Sequence, residues 1–163
     1  MVRGRALETR YGSLEARGRS LEARRGLEAR EAGEPFAAQT VDVLAAAAAS
    51  VVWDWSKVAL VANADGALPG IQTYALLIWN GRGFEGWMPA EATEDLNSVL
   101  ARWRAELERL SRPVWAALFV GVVNDGGRLR SRWIVADDGD FDAWRIRLGE
   151  SNVPMAERGL AGL

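Results

Sequence analysis

The chain has 163 residues, 49% of them hydrophobic, and a formal net charge of −2, enough for one domain with a substantial core. Cysteine and histidine are both absent, which excludes disulfides, thiolate nucleophiles, zinc–thiolate sites and imidazole general bases. Any catalysis would fall to carboxylates, Ser/Thr, Tyr, Arg or the single lysine, Lys57, in glycosidase-like or hard-metal chemistry.

Residues 1–35 carry eight Arg against six Glu, leaving twelve basic against sixteen acidic residues in the remainder. Four copies of a degenerate repeat fill this stretch: Leu7-Glu8-Thr9-Arg10, Leu14-Glu15-Ala16-Arg17, Leu21-Glu22-Ala23-Arg24 and Leu27-Glu28-Ala29-Arg30. The first three leucines are seven apart, as in a heptad, but the last spacing slips to six. A coiled coil also needs a second apolar position, and Arg3, Arg10 and Arg17 occupy it. Residues 1–35 therefore read as a weak Arg/Glu-laced helix or a disordered tail, with an oligomerisation helix or an extension from an upstream start codon as alternatives. Gly33-Glu34-Pro35 marks the boundary to a single domain over 36–163.

A helix is expected from Phe36 to about Val52, its alanine run suiting close packing on a sheet. Strands follow near Trp55–Ala62 and Thr73–Trp79, separated by Asn63-Ala64-Asp65-Gly66 and Pro69-Gly70. The turn Asn80-Gly81-Arg82-Gly83 leads to a short strand around Phe84–Met88. From Ala90 to Arg112, Leu96, Val99, Leu100, Trp103, Leu107 and Leu110 recur at helical spacing. Acidic residues open this helix and Arg109 and Arg112 lie near its end, as the helix dipole favours. Arg102–Glu106 and Arg104–Glu108 have the i,i+4 spacing of surface pairs, and Pro113 stops the helix.

Val114–Val123 is apolar on both faces and reads as a central strand. Asn124-Asp125-Gly126-Gly127 is a hairpin turn. In the next strand Arg128, Arg130 and Arg132 face one way and Leu129, Ser131, Trp133 and Val135 the other. The order α-β-β-(β)-α-β-β-α predicts an α+β fold: a largely antiparallel sheet of four to five strands with two main helices packed on it. No secretory pattern is evident, and the apolar stretch Val43–Trp53 is too short to span a bilayer, so a cytoplasmic protein without membrane association is expected.

The last strand runs into Asp137, Asp138, Asp140 and Asp142, then Trp144. Asp138-x-Asp140-x-Asp142 imitates the first ligands of a calcium loop, but Ala143 stands at the glycine position and Gly149 at the closing glutamate; no metal or other cofactor is expected. A catalytic pair would need a second acid such as Glu85, which the sequence does not place nearby, so no catalytic residue is assigned. The cluster reads instead as a solvated loop paired with Arg128, Arg130, Arg132 or Arg145, or as a docking surface for a basic protein. Trp103, Trp115 and Trp133 fall on core-type faces, and Trp53 and Trp55 suit closure of the core. Trp79, Trp87 and Trp144 lie at strand ends or loops, where an aromatic closes the core or anchors an interface. Nucleic-acid binding is disfavoured, because the folding part is acidic and its arginines alternate with acids.

About two-thirds of the chain, Phe36 to Leu148, resembles the YezG-like family of bacterial immunity proteins (antitoxins). The resemblance rests on Trp55-Ser56-Lys57-Val58 opening the first strand, Tyr74–Trp79, the amphipathic helix leading to Arg112-Pro113-Val114-Trp115, and the last strand running into Val135-Ala136-Asp137-Asp138. Val114 separates the family's Pro-Trp pair, and Ala136 replaces the Tyr of its Tyr-Asp-Asp. The resemblance implies a non-enzymatic protein that binds and neutralises a cognate toxin, often a nuclease-type domain. The expected contact surface is Asp137, Asp138, Asp140 and Asp142 with Trp144 as anchor, and Glu85 with Trp87 as a second edge. A secretion-associated chaperone or adaptor that holds an effector without inhibiting it is the alternative.

Overall fold

The computed structural model describes residues 3–64, 72–85, 90–137, 139–146 and 149–163, with side chains described from residue 17 onward outside 72–74, 84–85 and 90–91. Five antiparallel strands form one sheet: β1 (Lys57–Ala64), β2 (Gln72–Trp79), β3 (Phe84–Glu85), β4 (Ala117–Asp125) and β5 (Arg128–Ala136), in the order β3-β2-β1-β4-β5. Val61 pairs with Ala75 on one side and Phe119 on the other, placing β1 at the centre. Strand β4, flanked by β1 and β5, is the internal strand expected from its apolar run, though it begins at Ala117 rather than Val114. Strands β1 and β4 have both faces covered, so both read as unbroken apolar runs.

Helices α1 (Arg3–Val51) and α2 (Ala90–Arg109) cover one face of the sheet. Val58, Leu60 and Ala62 of β1, Leu118, Val120 and Val122 of β4, and Trp133 of β5 meet Leu44, Ala48, Leu96, Leu100 and Trp103 there. The fold is thus the expected α+β arrangement of a sheet with two main helices.

The break expected at Gly33-Glu34-Pro35 does not interrupt the helix, which runs 49 residues through Pro35. The segment serves close packing instead. A Cβ on Gly33 would lie 2.9 Å from Trp103 Cζ2, so only glycine admits the indole this near. Phe36 stacks on the same ring with centroids 6.2 Å apart. Further back, Glu28 pairs with Arg112, and the Arg30 guanidinium lies 4.3 Å from the Trp133 ring centroid. The end of the repeat therefore belongs to the packed body, whereas side chains 17–27 are exposed.

Helix α2 stops at Arg109, short of the expected Arg112. Ser111 turns left-handed (φ 53°), its N–H donates to Glu108 O (3.0 Å), and the Arg112 N–H donates to Leu107 O (2.8 Å). This is a Schellman closure, which ends the helix before Pro113 can. The expected i,i+4 pairs are replaced: Glu106 pairs with Arg109, Arg102 donates to Gln39 Oε1 (3.0 Å), and Arg104 lies over Trp115. The Arg109 guanidinium holds the Glu106 carboxyl below its usual value, and its own titration is raised in return.

The other face of the sheet carries the C-terminal segment: a 3₁₀ turn (Phe141–Trp144) and α3 (Val153–Leu160). Ala59, Val61, Leu77 and Phe119 pack there against Trp144, Ala156 and Leu160. Two polar side chains fasten this segment. Asn63 Nδ2 donates to Trp144 O (2.9 Å) while its Oδ1 accepts the Ile146 N–H (2.7 Å). Arg132 Nη1 donates to Gly159 O (3.1 Å) and Ala161 O (2.6 Å), where the α3 dipole favours a cation. Among the described residues, no helix is long and apolar enough to cross a membrane.

Candidate functional site

The β4–β5 hairpin aims the acidic segment. Gly126 and Gly127 have φ of 59° and 95°, the type I′ geometry that matches strand twist, and Asp125 pairs with Arg128 across the turn. The Gly127 N–H donates to Asn124 Oδ1 (2.9 Å), while Asn124 Nδ2 donates to Trp55 O (3.1 Å). From this end β5 runs to Ala136, and the chain then folds over Asp137. Asp137 Oδ1 accepts the N–H groups of Gly139 (2.9 Å) and Asp140 (3.3 Å), an Asx turn that fixes the loop.

Asp137, Asp140 and Asp142 are exposed. Of the four arginines expected to neutralise the cluster, only Arg145 pairs with it among the described residues, at 3.1 Å from Asp142. Arg132 is held by the end of α3, and Arg128 and Arg130 are exposed on the sheet edge. Asp138 and Trp87 lie outside the described residues. Glu85 pairs through its backbone with Ile78 in β3, the opposite margin of the sheet from β5. Four strand spacings separate the two margins, about 19 Å, so the sheet does not bring Glu85 to the acidic loop. No group of three or more acidic side chains converges on a possible cation position among the described residues.

Trp144 is not the exposed anchor the sequence suggested. It is 9% exposed, lies 5.2 Å from Phe119, and carries the Arg158 guanidinium over its ring. The 3₁₀ turn points it into the sheet because the apolar side of β1 and β4 is there to be covered. The reverse holds for Trp53, expected to close the core but 96% exposed.

What the acidic loop does border is an open cleft of about 370 Å³ between α1, the end of α2 and β5. Trp103, Trp115 and Trp133 line it, with Trp103 edge-on to both others at 6.2 and 5.2 Å. Gly26, Ala29 and Arg30 form the α1 wall, Val135 the opposite one, and Asp137 and Asp140 contribute the carboxylates. Such a site, mostly apolar with a few polar groups, suits binding. The sequence places these tryptophans on core faces, and they are buried there. It gives no indication that they border a cleft, because the wall opposite comes from the Arg/Glu repeat.

No protein-family model matches this chain, and no curated protein does either.

Proposed function

We propose that this chain is an immunity protein of the YezG-like kind: a non-enzymatic cytoplasmic inhibitor that binds a cognate bacterial toxin and blocks it stoichiometrically. The observation that carries this reading is the pairing of exposed carboxylates with an apolar cleft. Asp137 and Asp140 stand at the cleft, and neither is ion-paired with an arginine among the described residues. Exposed charge of one sign beside an apolar recess favours association with a partner of opposite charge. A nuclease-type toxin is such a partner, since its nucleic-acid surface is cationic. The lack of histidine and cysteine supports the non-enzymatic part of the reading.

The test is co-expression with the product of the neighbouring gene, whose toxicity is assayed in cells with and without this chain. The expected result is a 1:1 complex on gel filtration and survival of cells that the toxin alone kills. Cell death despite expression of this chain, with no complex at micromolar concentration, would overturn the reading. A stable complex with a non-toxic partner would replace it with the chaperone or adaptor alternative.

A further inference from the structure

The cleft beside the acidic loop has a chemistry of its own. Its floor is aromatic, its wall at Val135 is 47% exposed, and its carboxylates come from Asp137 and Asp140. Trp115, only 4% exposed, also lines it, and its indole N–H is buried with no acceptor. The chain also shows how a cation lies here. The Arg30 guanidinium is 4.3 Å from the Trp133 centroid, yet no ion pair joins it to Asp137 or Asp140. Asp137 Oδ1 is held by the Gly139 and Asp140 N–H groups, and the Asp140 carboxylate and the second oxygen of Asp137 are left for a second cation.

We infer that the cleft takes one basic side chain, an arginine or lysine, protruding from the protein partner. Its aliphatic stem packs on the tryptophans and Val135, and its charged head reaches Asp137 and Asp140. Long basic side chains combine these two surfaces, apolar along the stem and charged at the tip. Arginine suits the site better than lysine, because a planar guanidinium both stacks on indole and bonds carboxylate oxygens. An aromatic or aliphatic insert would leave the carboxylates unused, and an acidic one would be repelled by them. This inference rests on the chain's being a protein-binding protein and names what it binds.

The test titrates the full chain with a capped glycine–arginine–glycine tripeptide and with its citrulline counterpart, which has nearly the same shape but no charge. The indole N–H resonances of Trp115 and Trp133 are followed. Saturable shifts are expected, with the arginine peptide binding about tenfold tighter than the citrulline one, as befits charge-assisted hydrogen bonds. The double substitution Asp137→Asn and Asp140→Asn keeps the Asx acceptor at 137 and should weaken arginine binding about tenfold, roughly the loss of one such bond. Gly26→Phe fills the cleft from α1, where a Cβ meets nothing within 4 Å; it should abolish the shifts while the rest of the spectrum stays folded.

Equal binding of both peptides, arginine binding unchanged by the Asp-to-Asn pair, or no shift with either peptide would each overturn the inference. Shifts that persist in Gly26→Phe would do the same. Toxin neutralisation that survives both variants strikes the cleft alone. Peptide binding that obeys these rules, with no toxin neutralised, strikes the immunity reading and leaves the cleft.

Discussion

Phe119 is buried with glycines against its ring on two elements. A Cβ at Gly159 of α3 would lie 2.5 Å from Phe119 Cε2, and one at Gly121 of β4 would lie 2.8 Å from Cζ and 2.7 Å from Leu160 Cδ2. The ring cannot retreat, because Trp144 lies 5.2 Å away on the same face. In a helix alanine normally outdoes glycine by about 1 kcal/mol, but overpacking a closed site costs about 1–3 kcal/mol. Gly159→Ala should therefore destabilise by about 1–2 kcal/mol, read as a lower urea midpoint with unchanged slope. Asn63 makes the opposite kind of contribution, since its bonds to Trp144 O and the Ile146 N–H satisfy two backbone groups beneath the C-terminal segment. Asn63→Ala removes both partners at once and should cost about 2–3 kcal/mol. Hydrogen exchange should show the loss first in residues 141–163, because the segment is released before the sheet opens.

At the scale of elements, α2 and the β4–β5 hairpin were legible because their determinants are local. An apolar stripe at helical spacing and a Gly-Gly turn each act within a few residues. Helix α1 was not, because its contacts from Ala29 to Phe36 are made mostly by small residues whose burial depends on Trp103, far along the chain. Gly33 and Pro35 look like punctuation, and only the approach of that indole turns the glycine into a packing position. Alternation puts Arg132 on one face of β5 with Arg128 and Arg130, where it is a candidate partner of the acidic loop; α3 lies over that face at Arg132 and takes its guanidinium. The cost of Pro35 within α1 remains, since proline removes one helical hydrogen bond and crowds the preceding turn. Its side chain is exposed, so Pro35→Ala loses no packing. The gain should reach the global equilibrium, because Glu28–Arg112 and Arg30–Trp133 tie the preceding turns to the body. A stabilisation of about 1–3 kcal/mol is expected, measured as a raised urea midpoint; a midpoint that stays put or falls would mean that the turns before Pro35 open independently.

For the whole molecule, the sheet separates two tasks. One face buries the C-terminal segment; the other, with α1 and α2, forms the cleft, and the acidic loop passes between the two after β5. The sequence located the acids but not their aromatic neighbours, and it offered Trp144 as an anchor where the fold uses it as core. Binding and stability should therefore respond to different residues of one short segment. Asp137→Asn with Asp140→Asn removes charge without disturbing packing, so association with a basic partner should slow about tenfold at low salt and approach the unaltered rate at high salt, because the attraction is screened. Asp142→Asn should slow it less, since Asp142 is already paired with Arg145. Trp144→Phe should lower the urea midpoint through lost contact with Phe119, with no change in association rate. Stopped-flow mixing over a range of salt concentrations separates these cases. An association rate insensitive to Asp137 and Asp140 at every ionic strength, or a rate that falls with Trp144→Phe alone, would move the docking surface away from the end of β5.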